Sequence, residues 1–355
     1  MPTARYEVVQ TDARTGKVVA TLPVTGISYG ETLNDTGSAS VTIPLDAPEA
    51  DPSSLVPLKS GLAVLRDGEP VWGGIFWTWS ADLAQNTLTL NASGYHSYYK
   101  GVALVAGYDR KADQAHLLAD WVKVGNDAGG IGTDTSRLTT TGRLRTRKWT
   151  KYEFKNVAEA IEELAEDAGG FNFRYEPYWT KDGRVGHRLL KTLRGGSPLA
   201  MTLEHGVNCD VTQVAGDGSA LATDVYAIGA DNGNGTKLLG TATNADLAET
   251  MPRKSVVTTF SDVKKTDALV DKADAMRAVG SAPIAIPSLT VYPGMYAPAD
   301  FAPGNSGTVR ASYGYVQLTT DFVVTERQTG VDVNGTELIS LTLANKEVFT
   351  YGDAT

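Results

Sequence analysis

The sequence predicts a mainly β protein interrupted by α+β modules. Short runs of alternating apolar and polar residues recur along most of the chain. The 37 glycines and 15 prolines among 355 residues punctuate those runs as turns. Only three stretches carry a clear helical period, and they fall between groups of strand-like runs. At this length two to four domains are expected.

The first group occupies residues 1–100. Arg5–Gln10 and Lys17–Leu22 flank a polar turn, Thr11–Gly16. Gly26–Thr32 leads into Gly37–Pro44, where Ala39, Val41 and Ile43 share one face and Ser40 and Thr42 the other. An acidic, proline-rich connection, Ala47–Pro57, precedes the stretch that organises the chain, Leu62–Leu90. Its first strand turns at Asp67-Gly68, a pair suited to the positive φ of a tight hairpin. Its second, Val71 to Trp79, is aromatic and thinned by Gly73 and Gly74, which mark a bulge or a close backbone approach. Its third is Thr87–Leu90, and Asn91–Tyr99 closes a β-barrel or sandwich.

Residues 101–198 read as an α+β module with helices near 113–124 and 157–168 and a hairpin over 171–193. Leu117, Leu118, Trp121 and Val122 make one face of the Asp113–Val124 helix, Gly125 stops it, and His116 lies beside the stripe. Arg143, Arg145, Arg147, Lys148 and Lys151, interleaved with Trp149 and Tyr152, suit nucleic acid or an anionic glycan as well as a solvated strand edge. In the second helix Asn156 is the N-cap with Glu159 three residues on, a capping-box spacing. Val157, Ala160, Ile161, Leu164, Ala165 and Ala168 form its apolar stripe. Glu159, Glu162, Glu163, Glu166 and Asp167 cover the outer face, where carboxylates are solvated, not paired as in a glycosidase. Phe171, Phe173 and Tyr175 share a strand face that serves better as core than as a sugar platform.

Residues 199–355 hold a second β unit with an inserted helix and proline-rich segment over about 262–304. Met201–Glu204, Cys209–Val214 and Thr223–Gly229 read as strands. Asp231, Asn232 and Asn234 offer oxygens, but without the acidic ligands and distal glutamate of a calcium loop they make a turn. Thr266 caps a helix that Gly280 stops, and Leu269, Ala273 and Met276 set its apolar side. Pro283, Pro287, Pro293, Pro298 and Pro303 predict a stiff, irregular segment containing Tyr292, Tyr296 and Phe301. Gly307–Ala311, Phe322–Gln328 and Glu337–Asn345 are closing strands before a charged tail.

Composition narrows the function. Hydrophobic residues are 42% and charged residues 21%, as in a folded soluble chain. With 32 Lys and Arg against 41 Asp and Glu, net charge −9, a broad basic surface that wraps nucleic acid is not expected. DNA sliding past an acidic wall is compatible with it. Cys209 is the single cysteine, so neither a disulfide framework nor a cysteine-rich metal site is expected. The N-terminus lacks the apolar core of a secretory signal, and no run is long enough to span a bilayer. Synthesis in the cytoplasm, with exit by lysis or a non-standard route, is expected. His96, His116, His187 and His205 show no close ligand spacing, and no P-loop, dinucleotide fingerprint or nucleophile elbow occurs. No catalytic, cofactor-binding or metal residue is predicted.

Four segments carry a resemblance: Gly37–Asp46 (GSASVTIPLD), the Arg66-Asp67-Gly68 turn, Val71–Gly74 (V-W-G-G) and Gly94-Tyr95. Together they resemble minor tail proteins of siphophages infecting actinobacteria, of the tail-tip and baseplate hub family. The resemblance implies two small hub-like β-barrels per chain with helix-containing modules between and beside them. It implies a structural virion protein, not an enzyme, located in the phage tail tip and assembled in the host cytoplasm. Three copies would form a ring joining a six-fold tail tube to a three-fold tip around the DNA channel, with DNA only as passing cargo. The implied partners are the distal tail protein, the tape measure protein and other tail-tip proteins. The expected barrel cores are Val64, Val71, Trp72, Ile75, Trp77 and Leu88, then Val225, Ile228, Val323, Leu341 and Leu343. The alternatives are a six-fold distal adaptor, a wall-degrading tail enzyme, and a receptor- or glycan-binding protein using Tyr95, Tyr98, Tyr99, Trp149 and Tyr292–Phe301.

Overall fold

The structure, a computed structural model, describes residues 4–346 apart from 168, 195–196, 220, 232, 262, 282–283 and 333. Ala168, Asn232, Pro283 and the chain end beyond Lys346 therefore lie outside the described residues. Seven strands come first: Tyr6–Asp12 (β1), Val18–Leu22 (β2), Gly26–Thr32 (β3), Ser38–Pro44 (β4), Ser60–Arg66 (β5), Glu69–Asp82 (β6) and Thr87–Gly94 (β7). They pair in the order β3-β4-β7-β6-β5-β1-β2. Each contributes to one apolar cluster that includes Val8, Leu22, Tyr29, Val41, Leu62, Trp72 and Leu90, so the sheet curls around it as a small barrel. The β5–β6 turn has Asp67 at φ 52° and Gly68 at φ 84°, the two positive angles that a two-residue hairpin needs.

Strand β6 corrects the expected core. Trp72 and Phe76 face into the barrel, but Ile75 belongs to a second cluster and Trp77 packs against it. Alternate side chains of a strand face opposite ways, and both faces of β6 are covered, so its near-continuous apolar run serves two cores. Val71 is half-buried at the barrel's margin, and Val64 and Leu88 are inside it as expected. Gly73 marks a close approach: a Cβ there would lie 2.4 Å from the Tyr95 hydroxyl.

The second cluster belongs to a module of His96–Tyr99 (α1), Tyr108–Asp113 (β8), Gln114–Asp127 (α2), Leu144–Trp149 (β9), Val157–Glu166 (α3), Phe171–Trp179 (β10) and Val185–Leu193 (β11). Leu117, Trp121, Ile161, Leu164 and Phe171 are among its buried residues. Strands β8 and β9 form an antiparallel ribbon, and β10 and β11 a hairpin. Asp113 caps α2, which runs past Gly125 to Asp127. Gly125 is therefore not the stop; a Cβ there would meet the Tyr99 ring at 2.9 Å, so the glycine serves helix packing. Asn156 caps α3 by accepting from the Glu159 amide at 3.2 Å. Glu159 pairs with Lys155.

The next strands are Leu203–Glu204 (β12) and Cys209–Asp217 (β13), followed by Asp224–Asp231 (β14), Lys237–Thr243 (β15), Ala245–Thr250 (α4), Ser255–Thr259 (β16) and Thr266–Val279 (α5). Then come Ile284–Val291 (β17), a 3-10 turn at Pro298–Phe301, Ser306–Tyr313 (β18), Val316–Val331 (β19) and Glu337–Asn345 (β20). Strands β12, β13 and β17 to β20 enclose a cluster of Leu203, Cys209, Leu289, Val309, Phe322, Leu341 and Leu343, forming a second barrel. Val323 is buried on the opposite face from Phe322 and Val324.

Two expectations for this half are corrected. Strand β14 does not join the barrel; it pairs with β15 and β16 under α5, and Val225 belongs to their own small core. Ile228 is half-buried outside that core. This unit interrupts the β13–β17 hairpin, so alternation identified the strand without revealing its partner. The proline-rich segment is partly regular, because β17 pairs with both β13 and β20. Pro287 fits since pairing with β20 starts only at Ser288, leaving no ladder bond on that side for its missing N–H.

The two barrels are continuous through β19, whose first part pairs with β18 and whose Glu326–Val331 pairs with β3 of the first barrel. β20 runs alongside it throughout Phe322–Val331. A 13-stranded sheet results.

Candidate functional site

The shared strand is where the structure concentrates its long-range polar contacts. Arg327 on β19 is 4% exposed, buried where the two barrels and the Pro298–Phe301 turn meet. One guanidinium nitrogen donates to the Pro298 carbonyl at 2.6 Å, and another meets Glu31 of β3 at 3.1 Å. Glu31 is also its direct cross-strand partner. Arg66 of β5 reaches Glu337 at the start of β20 at 2.6 Å, and the Tyr6 hydroxyl donates to the same carboxylate at 2.8 Å. The Glu337 hydrogen bond holds the Arg66 guanidinium above its ordinary range despite opposing burial. These two clamps tie the first barrel to the second. Neither was visible in the sequence, because their partners lie far apart along the chain.

Beside the clamps lies a cleft of about 510 Å³ lined by Glu31, Arg66, Glu69, Arg174, Glu176 and Arg327, among others. Its arginines are matched by carboxylates, so it has no excess of positive charge with which to hold an anion.

A second polar cluster lies in the α+β module, where the chain enters it from β7. The Tyr95 ring stacks on His187 of β11 with centroids 3.7 Å apart. The Tyr99 hydroxyl donates to Thr133 Oγ1 at 2.7 Å, and Thr133 is 2.8 Å from His187 Nε2. Having accepted from Tyr99, the threonine donates its one proton to Nε2, which requires a neutral ring there. Burial lowers the His187 pKa to about 3, against a smaller opposing effect of Asp134. Nearby, buried His96 has Nε2 2.9 Å from Glu162 of α3 and Nδ1 3.2 Å from the Tyr175 hydroxyl. Stacked, buried and already satisfied, these groups hold the α+β module together; they are not open to a substrate.

The aromatic residues considered for glycan binding do not form a platform. Tyr95, Tyr99 and Phe301 are buried, and Tyr98 and Trp149 pack against the module core. Tyr296 packs edge-on to Phe301, and the Tyr292 hydroxyl donates to Asp210. In the basic stretch, Arg145 and Arg147 pair with Asp167, and Lys148 pairs with Asp109. The ribbon nonetheless presents exposed Leu144, followed by exposed Tyr152 and Phe154. His116 is exposed on α2. At the former calcium candidate, Asp231 accepts from the Gly233 amide as a turn. Among the described residues, no group of three His, Cys, Asp or Glu is placed to hold a metal, and no helix is long and apolar enough to cross a membrane.

No protein-family model matches the chain, and no curated protein matches it by sequence. Solved structures do match it along nearly its whole length. The 43 kDa tail protein of prophage MuSo2 from Shewanella oneidensis is 14% identical, with 99% of each chain covered and a TM-score of 0.60. The tail protein from Neisseria meningitidis MC58 is 15% identical, covering 98% of this chain and 99% of that one at 0.59. Prophage tail protein gp18 from Listeria monocytogenes EGD-e is 14% identical, covering 96% and 94% at 0.55. At these identities the likeness is one of fold: the chain, mainly β with two barrels, shares its overall fold with these three tail proteins.

Proposed function

We propose that this chain is a structural component of a phage tail tip, three copies of which form the hub ring. The observation that carries the proposal is the pair of barrels joined through β19 in one chain. Three such chains supply six barrel positions, which meets a six-fold tube on one side and a three-fold tip on the other. Within tail proteins, the loose V-W-G-G match favours the siphophage minor tail type. The division into residues 1–100, 101–198 and 199–355 is proposed as the domain organisation. The distal tail protein, tape measure protein and other tail-tip proteins are the proposed neighbours, with DNA as cargo.

The role is mechanical: the rigid joint keeps two barrels in fixed relation while the ring surrounds the channel. Burial of the aromatic candidates weighs against a glycan-binding role. Negative-stain microscopy of the purified chain tests the proposal. Three-fold rings with six lobes are expected; six-fold rings would indicate a distal adaptor instead.

A further inference from the structure

The chain is acidic overall but unevenly so. Residues 105–155 carry 10 Lys and Arg against 6 Asp and Glu, whereas residues 18–99 carry 2 against 8. Arg110, Arg145, Arg147, Lys148 and Lys155 are paired with carboxylates of the same module, so the positive charge offered outward comes from exposed Lys111 and Lys151. Each region also exposes large apolar side chains. On the basic side are Val105 (68% exposed), Leu144 (57%), Tyr152 (76%) and Phe154 (57%). On the acidic side are Leu58 (50%), Trp79 (58%) and Leu83 (82%).

Both surfaces are held in place by hydrogen bonds. Phe154 sits at φ 45°, a conformation a bulky side chain rarely adopts. Its loop is fixed by the Thr150 amide donating to the Glu153 carboxylate, the Glu153 amide to the Thr150 carbonyl, and the Leu104 amide to the Lys155 carbonyl. The ring is thus held outward on an ordered turn. On the barrel, the Leu45 amide donates to the Asn86 carbonyl, and Asn86 Nδ2 donates to Asp46, binding the acidic connection to the β6–β7 tip.

We propose that these two surfaces meet between copies: the basic β8–β9 ribbon and Tyr152–Phe154 loop of one chain dock on the Asp46–Asp51 connection and β6–β7 tip of the next. The occupant is a second copy because the chain itself carries the complementary charge and the complementary apolar groups. Two different patches on one chain make a head-to-tail contact, which closes a ring of three when each step turns the chain by a third of a revolution. The inference rests on the ring reading above and identifies the surfaces that would build it.

Charge reversal tests it in the full chain by analytical ultracentrifugation. Lys111→Glu with Lys151→Glu, or Glu49→Lys with Asp51→Lys, should each weaken association by about tenfold or more. Combining all four should restore it, since the charges are then exchanged. Phe154→Gly should dissociate the trimer without lowering the melting temperature, because glycine accepts the positive φ. Reversal variants that remain trimeric, or a fourfold variant that does not recover, would overturn the inference. So would a wild-type chain that stays monomeric at all concentrations, or loss of duplex-DNA binding as the only effect of the lysine variants. Three copies per particle would still support the hub reading in each of these cases, so the two claims fail separately.

Discussion

His187 makes a residue-scale prediction about acid stability. Its folded pKa is about 3 against an ordinary 6.5, so below pH 6.5 the unfolded chain takes up a proton that the folded chain refuses. Stability from this group is full above about pH 6.5 and is lost as pH falls toward 3, by at most about 1.4 kcal/mol per pH unit. Urea unfolding at pH 7 and pH 4.5 should show a smaller difference for His187→Gln than for the wild type, by about 2 kcal/mol. An equal difference would mean that the ring protonates freely in the fold. Cys209 gives a second test. It is 0% exposed, and burial pushes its thiol up to about 11. A thiol reagent at pH 8 should therefore leave the native chain unlabelled and modify one thiol after denaturation. The sequence placed Cys209 in a strand, but His187 was unreadable: its function depends on Tyr95 and Thr133, brought from distant parts of the chain.

At the scale of elements, β6 and β19 show what local pattern can and cannot convey. The Asp67-Gly68 turn and the closing Glu337–Asn345 strand were legible, because turn angles and strand period are local properties. That Ile75 and Trp77 face a different core from Trp72 was hidden, since a strand buried on both faces has no polar side to orient it. Similarly, β14 displayed a strand pattern that named no partner. Arg327 on β19 is the strongest element-scale prediction. Arg327→Ala should destabilise the fold by about 3 kcal/mol or more, because it leaves Glu31 and the Pro298 carbonyl without their buried donor. Glu337→Ala should cost about 2 kcal/mol by releasing Arg66 and Tyr6 together. Chemical denaturation of both variants measures this. If they matched the wild type, the clamps would contribute nothing to the joint between barrels.

For the whole molecule, the basic stretch and the acidic connection were both visible as composition, but neither could be assigned a surface until the ribbon and the barrel were folded. The mainly β class followed from periodicity, and the hub likeness from a few loose segments. The end-to-end match to prophage tail proteins shows a fold shared with tail proteins. Copy number requires a measurement. The most direct one is quantitative mass spectrometry of purified phage particles, counting this chain against the capsid protein. Three copies per particle is the predicted result; six would place the chain in the distal adaptor, and its absence from particles would contradict the tail assignment.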